Sequence, residues 1–279
     1  MKGNELAQSV EILFRLDGKK ALITGANAGI GEATAKLFAE AGADIAIVVR
    51  PGSDPGQLVA YIRSLGRQAE VFEADLTDVA QIHRVVENAN ESMGGLNILG
   101  NIAGIGVGGP ILDMTLEDWD RTLSINTRSV YFMAQAAARL MKDQGGGKII
   151  NIASVNAYRG FTDGSLYNLS KAAVVSMTQS MGAEWAIYNI NVNAIAPGWT
   201  ETKMINGMPA GRKNWILENV PMARRAQTSE IAPMALFLAS PASDYVTGAT
   251  HVVDGGFLNA GMWGDRGWMP EIQPQPEGR

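Results

Sequence analysis

Short apolar runs recur along the chain, each followed by a stretch whose apolar positions return every three or four residues. The runs are KALIT (20–24), DIAIVV (44–49), AEVFEA (69–74), LNILG (96–100), KIINIA (148–153), INVNAIA (190–196) and THVVDG (250–255). They read as strands. Segments 30–41, 56–65, 78–92, 115–142, 165–188 and 229–239 carry helical spacing. Strict strand–helix alternation predicts an α/β chain built on a parallel, doubly wound sheet of seven strands, with helices on both faces. Strands that are apolar throughout fit burial on both sides. No repeat or interdomain linker interrupts the pattern. The expected organisation is an N-terminal extension (1–15), one α/β domain (16–258) and a C-terminal tail (259–279). Two segments break the alternation. Residues 199–228 form a long connection rich in Met, Gly, Asn and Arg, of a length that usually serves function. The tail carries Trp263 and Trp268, which suggests docking on a neighbouring subunit.

Composition narrows the chemistry. Hydrophobic residues make up 46% of 279 residues, enough for a sizeable core, and the net charge is −5. An acidic chain without basic clusters argues against nucleic acid and against anionic membrane surfaces as partners. There is no Cys, which excludes disulfides, thiolate metal sites and a Cys nucleophile. His83 and His251 are the only two histidines, too few and too far apart for a His-based metal site or a Ser-His-Asp triad. His83 reads as a helix-surface residue and His251 as structural. The first residues do not resemble a secretory signal, and no run approaches the roughly 18 apolar residues of a membrane span. A cytoplasmic protein is expected, with no bound metal.

The first candidate site is TGANAGIG, which follows the first strand and opens the first helical segment. Gly25, Gly29 and Gly31 let the backbone turn tightly and approach a pyrophosphate, with Asn27 and Ile30 in the same turn. The N–H groups and dipole of the helix start then face the anion. The strand–turn–helix context reads as a dinucleotide phosphate-binding turn, against the alternative of a purely structural glycine turn. The second strand ends IAIVVR, with no Asp or Glu to hold both adenosine ribose hydroxyls. Arg50 stands there instead and suits a 2′-phosphate, which favours NADP(H) over NAD(H). The bland alternative is that Arg50 only stacks on adenine.

The second candidate is SLYNLSKAA (165–173). Tyr167 and Lys171 lie one helical turn apart, so a phenol and an ammonium share a face. A nearby cation favours the phenolate and lowers the tyrosine pKa, which suits general acid–base work. Such a pair also arises by chance on a helix surface, so its meaning depends on what accompanies it.

In order along the chain come TGANAGIG (24–31), DLTD (75–78), NIAG (101–104), Asn126 in LSINT, Ser154 in NIASVNA, Tyr167 with Lys171, and PGWTET (197–202). From about residue 16 to 258 the chain thereby resembles the short-chain dehydrogenase/reductase family, in its compact form. The resemblance implies an oxidoreductase that moves hydride between a nicotinamide cofactor and a secondary alcohol or ketone. It implies that Tyr167 exchanges a proton with the substrate oxygen. Lys171 would lower the tyrosine pKa and bind the nicotinamide ribose. Ser154 would hydrogen-bond the reacting oxygen, and Asn126, in the preceding long helix, would hold a water that links Lys171 to solvent. Asp75 and Leu76 would flank adenine, and Asn101, Ala103 and Gly104 would line the cofactor channel. Pro197, Gly198, Thr200 and Thr202 would hold the carboxamide end. A departure is Ile102, where the family usually has a second Asn. The resemblance further implies a homotetramer built on helices 115–142 and 165–188 and the last strand, with Met177, Met181 and Trp185 as candidate subunit contacts.

Substrate contacts are expected from Asn156, Tyr158 and Arg159 after Ser154, and from Trp199, Met204, Ile205 and Met208 in the long connection. Arg212, Lys213 and Arg225 are possible anion contacts, against the simpler reading of solvated surface cations. GGKIINIAS and INVNAIAPG look closest to the branch holding gluconate-type and deoxygluconate-type dehydrogenases and 3-oxoacyl-carrier-protein reductases. A small polar substrate, a hydroxy or keto acid of sugar type, is the leading expectation. A ketoreductase of acyl thioesters or hydrophobic ketones is the alternative. A non-catalytic nucleotide-binding regulator is a remote one, since such proteins typically lose the tyrosine or the lysine. A hydrolase is disfavoured because the chain has no GxSxG elbow with a partner His.

Overall fold

Seven strands, β1 (Lys20–Thr24), β2 (Asp44–Val49), β3 (Ala69–Glu73), β4 (Ile98–Asn101), β5 (Gly147–Ile152), β6 (Ile190–Pro197) and β7 (Thr250–Val253), form one sheet in the order β3-β2-β1-β4-β5-β6-β7. The structure is a computed structural model that describes residues 10–206 and 210–259. Every neighbouring pair is parallel. Thr24 lies opposite Val48 on one side and Asn101 on the other, so the order reverses between β1 and β4. A parallel pair needs a crossover, and helices supply it. They are α1 (Val10–Phe14), α2 (Gly29–Glu40), α3 (Gly56–Ser64), α4 (Val79–Met93), α5 (Leu116–Leu123), α6 (Ser129–Asp143), α7 (Ser165–Trp185), α8 (Lys203–Asn206), α9 (Ala210–Asn219) and α10 (Thr228–Ala239).

Alternate strand residues feed two cores, as the two-residue period requires. Ile23, Ile47 and Ile98 face one side, with Phe38 of α2 and Leu238 of α10. Leu22, Val48 and Leu99 face the other, with Val86 of α4, Met133 of α6 and Met181 of α7. The expectation of strands buried throughout holds fully for β4 and, apart from one or two half-buried positions each, for β1, β2, β5 and β6, but not at the edges. In β3 only Ala69 is buried, and no residue of β7 is. An edge strand has a neighbour on one side only, so solvent reaches its outer positions. Among the described residues, no helix is long and apolar enough to cross a membrane.

Two expectations need correction. The predicted helix over 115–142 is not continuous. Thr115 and Asp118 form a capping box that opens α5, and a π-helical turn at Ser124–Arg128 separates it from α6. A π turn inserts an extra residue into the helical register. Here it carries Asn126 into the interior, where the side chain is fully buried. The connection 199–228 is also not irregular throughout, since α8 and α9 lie in it. The tail beyond Asn259, with Trp263 and Trp268, and Met208 lie outside the described residues.

The start of α10 is fixed by charge. Glu230 accepts two bonds from Arg224, each 2.7 Å, and one from the Gln227 N–H at 2.8 Å. The Arg224 bonds, then the backbone N–H, hold the Glu230 carboxyl down to about 2 from 4.5. The ion pair is about two-fifths exposed, so solvent screens it and its contribution is modest. A depressed folded pKa gives stability that is present above pH 4.5 and fades as pH falls towards 2. Glu230→Gln is expected to lower Tm at neutral pH by about 2–4 °C. The deficit should shrink as thermal melts are repeated at lower pH, and a constant deficit would contradict this account.

Candidate active site

The carboxyl end of β1 is tied to the carboxyl end of β4. The buried Thr24 hydroxyl accepts the N–H groups of Ile102 and Ala103 at 3.0 and 3.1 Å and donates to the Gly100 carbonyl at 3.3 Å. Gly25 follows at φ +69°, and a Cβ there would lie 2.9 Å from Ala103 Cα. A Cβ on Gly31 would overlap the Gly25 carbonyl oxygen. Helix α2 begins at Gly29 behind Ala28, which has no side chain able to cap it. Its first N–H groups therefore face the glycine turn without a side-chain acceptor. A tight turn free of side chains, ahead of an uncapped helix start, fits a dinucleotide pyrophosphate. Thr202 closes over this turn, its Cγ2 3.4 Å from where a Cβ of Gly29 would stand.

The adenosine side is more open. Arg50 leaves the end of β2 exposed, and its guanidinium makes no hydrogen bond or ion pair among the described residues. Asp75 follows β3 and closes its own turn by accepting the Thr77 N–H at 2.9 Å and hydroxyl at 2.8 Å. Leu76 is buried beside it. Asn27 is exposed in the turn. The Asn101 side chain points into the sheet instead of towards a channel. Its amide donates to Asn151 Oδ1 at 3.0 Å, and Asn151 donates to Thr178 Oγ1 at 2.9 Å. Ile102, the departure from the family pattern, packs on the core and leaves the strand intact.

Asn126, Ser154, Tyr167 and Lys171 gather at the carboxyl ends of β4 and β5. Asn126 donates to the Ile105 carbonyl at 2.8 Å and to Ser170 Oγ at 3.1 Å, and accepts the Ile105 N–H at 2.9 Å. Gly104 lies against it: a Cβ there would be 3.3 Å from Asn126 Oδ1 and 3.6 Å from Lys171 Nζ. Lys171 is buried and donates to the Ile152 carbonyl at 2.7 Å. Burial pushes its pKa down to about 8. Its ammonium is 5.7 Å from the centre of the Tyr167 ring. The Tyr167 pKa is raised, not lowered as the Tyr/Lys spacing suggested. Burial pushes the phenol up, and a hydrogen bond with Ser154 opposes this. In the protein alone, then, burial moves both groups towards their neutral forms.

The expected substrate residues divide. Asn156 is bound to Ser154 and Asn168. Arg159 lies over the Phe257 ring, 5.4 Å from its centre, and Tyr158 is exposed. Trp199 belongs to an aromatic cluster, edge-on to Phe161 at 5.7 Å and to Phe257 at 6.1 Å, with its indole N–H buried and without a partner among the described residues. The sulfur of Met204 lies 3.3 Å from where a Cβ of Gly106 would stand, and Ile205 is buried. Arg225 is ion-paired to Glu201 at 2.6 Å. The Arg212 and Lys213 side chains lie outside the described residues. Thr200 is buried and bonded to the Gly198 carbonyl at 3.1 Å, and Pro197 ends β6. Residues that sequence reasoning passed over are Thr24, Asn151, Ser170, Phe257 and Asn168. Thr24, Asn151, Asn168 and Ser170 lie within the quoted motifs, but nothing local gave them a role. Gly31→Ala is expected to weaken nicotinamide cofactor binding at least about tenfold, because the methyl must displace the Gly25 carbonyl. Fluorescence titration with cofactor checks it, and unchanged affinity would refute the cradle.

Residues 25–258 match the family profile described as enoyl-(acyl carrier protein) reductase. The 2-dehydro-3-deoxy-D-gluconate 5-dehydrogenase of Dickeya dadantii (strain 3937) is 40% identical over 248 residues, 88% of this chain and 97% of that one. The 3-oxoacyl-(acyl-carrier-protein) reductase FabG of Thermotoga maritima is 37% identical over 245 residues, 88% of this chain and all of that one. A gluconate 5-dehydrogenase from Burkholderia cenocepacia J2315, solved with NADP and tartrate, superposes with TM-score 0.87 at 37% identity, covering 90% of this chain and 100% of that one. Fold, motif order and these likenesses agree: the chain belongs to the short-chain dehydrogenase/reductase family and is an NAD(P)-dependent oxidoreductase.

Proposed function

We propose that the protein interconverts a secondary alcohol and a ketone on a polar hydroxy or keto acid of sugar type, with NADP(H) preferred. The convergence of Ser154, half-buried Tyr167 and buried Lys171 at one point carries the reaction; the gluconate-type relatives support the substrate class. The glycine turn, the α2 start, Ala103, Gly104 and Thr202 hold the cofactor, and Arg50 meets a 2′-phosphate. When bound, the nicotinamide supplies or accepts the hydride. Tyr167 gives its proton to the carbonyl oxygen during reduction and takes it back during alcohol oxidation. Its burial keeps that proton on the phenol until a substrate oxygen arrives. Ser154 donates to the same oxygen and steadies its developing charge. Lys171, set beside the ring, counters the phenolate left behind. Asn126 fixes the loop at Ile105 that covers Lys171. Arg159, stacked on Phe257, is placed five residues after Ser154 and suits a substrate carboxylate.

A second reading, a ketoreductase of acyl thioesters, is favoured by the likeness to the Thermotoga reductase. In either reading the protein works as a homotetramer. Its α6–α7 surface carries a groove of about 500 Å³ lined by Tyr131, Met177, Met181, Trp185 and Tyr188, with Tyr131 44% exposed.

The test is nicotinamide absorbance with gluconate, 2-deoxygluconate, polyols, simple ketones and acyl thioesters, each with both cofactors. Turnover of a sugar acid is expected, and turnover of thioesters alone would move the protein to the second reading. Tyr167→Phe should cut kcat about 100- to 10,000-fold while cofactor still binds; near-normal turnover would remove Tyr167 from the mechanism. Arg50→Ala should raise KM for NADP⁺ about tenfold and leave KM for NAD⁺ unchanged. An equal effect on both cofactors would leave Arg50 an adenine-stacking residue.

A further inference from the structure

Two neighbouring arginines tie the connection after β6 to two different segments. Arg224 binds Glu230 at the start of α10 through two bonds of 2.7 Å. Arg225 pairs instead with Glu201, Nε to Oε1 at 2.6 Å. A backbone bridge lies beside this pair. Thr200 stands opposite Ala226, the Glu201 N–H donates to the Ala226 carbonyl at 2.8 Å, and the Ala226 N–H donates to the Trp199 carbonyl at 2.9 Å. The outgoing and returning ends of the connection are thereby joined at its root, with α8 and α9 between them.

Thr202 follows Glu201 directly. Its carbonyl accepts the N–H groups of Ile205 and Asn206 at 3.1 and 3.0 Å, which starts α8. Its methyl group meets the glycine turn, 3.4 Å from where a Cβ of Gly29 would stand. From there the path closes on itself. Helix α2 leaves the turn, and its Ala35, Phe38 and Ala39 share a core with Ile231, Ala235 and Leu238 of α10. The start of α10 holds Arg224, Arg225 holds Glu201, and Glu201 carries Thr202 back to Gly29. The Arg225 and Glu201 side chains are 21% and 28% exposed, less than the Arg224–Glu230 pair, so water screens them less. Arg225 Nη1 is buried without a partner among the described residues. A guanidinium that lost Glu201 would keep its charge in a partly buried place with nothing to balance it, so opening this root costs free energy.

We propose that Glu201 and Arg225 are positioning residues, an ion-pair clamp that holds Thr202 over the glycine turn and so slows release of the nicotinamide cofactor. The inference rests on the cofactor cradle proposed above and makes no demand on the substrate. It also reassigns Arg225, whose guanidinium serves Glu201 instead of a substrate anion. A cofactor seated on the turn lies beneath Thr202 and leaves when the root of the connection opens. Loosening a closed contact acts chiefly on dissociation and much less on association.

The full chain is loaded with NADPH, and release is timed by stopped-flow fluorescence against excess NADP⁺, with Tm recorded for the same chains. Glu201→Gln, Arg225→Met and the double variant are expected to release NADPH about three- to tenfold faster than the parent. The double variant should be no faster than the faster single one, because the same contact is broken in all three. The reversed pair, Glu201→Arg with Arg225→Glu, should bring release back towards the parental rate. A pair that only stabilises the fold would lower Tm and leave release unmoved, and that result overturns the proposal. A double variant whose effect is the product of the two single effects overturns it too. If a single variant fails to fold by circular dichroism, the double and reversed chains carry the test: release must be fast in the first and slow in the second. Weakened cofactor affinity in Gly31→Ala with parental release in every clamp variant would keep the cradle and remove the clamp. Unchanged affinity in Gly31→Ala would remove the cradle itself, and the clamp with it.

Discussion

All seven strands run the same way, and most of the molecule follows from that constraint. A parallel neighbour cannot be reached by a hairpin, so each return crosses a face of the sheet through a helix. Every strand therefore delivers its carboxyl end to one edge. The order reverses between β1 and β4, where the chain has wound outwards through β2 and β3 and come back. At such a reversal the loops diverge and leave a crevice. The glycine turn after β1, Arg50 after β2, Asp75 after β3, Ala103 after β4, Ser154 after β5 and Gly198 after β6 all arrive at that edge. Thr24 draws the two central loops together through three hydrogen bonds.

Polar groups buried behind this edge have to be satisfied, and they are satisfied by one another. Asn101, Asn151 and Thr178 form a chain across β4, β5 and α7. Asn126 pairs both its amide ends with the Ile105 backbone and reaches Ser170. Leaving one such amide unpaired would cost on the order of 1–3 kcal/mol. These networks tie α7 to the sheet and the π turn to α7. The π turn belongs to the same logic, because it brings Asn126 inwards from a helix that would otherwise present it at a different angle.

Burial also sets the electrostatics of the Tyr167–Lys171 pair. Helical spacing alone suggests an ammonium that stabilises a phenolate. In the folded chain, desolvation opposes both charges, and Lys171 directs its N–H at Ile152. The resting pair leans to neutral phenol with an amine that titrates at about 8. A proton donor is thereby kept ready for a carbonyl, and an amine that gains charge readily stands beside the phenolate that forms.

Much of the fold was legible in the sequence, because strand and helix periods are local and because a glycine turn needs only neighbouring residues to define it. β1 and β2 appear at the residues their apolar runs marked, and the glycine turn stands between β1 and α2. Tyr167 and Lys171 share a helix as their spacing required. Other features depend on segments far apart in the chain. At the break in the helix over 115–142, Asn126 bonds to Ser170, 44 residues away. Whether Arg225 was a free cation was decided by Glu201 across the connection after β6. Asn168 finds its partners only when Phe161 and Asn156 are brought against it. Local periodicity determined which segments become strands and helices, and the order of motifs along the chain, through the family resemblance, pointed to the residues that carry chemistry. The tertiary structure decided which polar groups are paired and which are buried, because hydrogen bonding and desolvation act between atoms that only folding brings together.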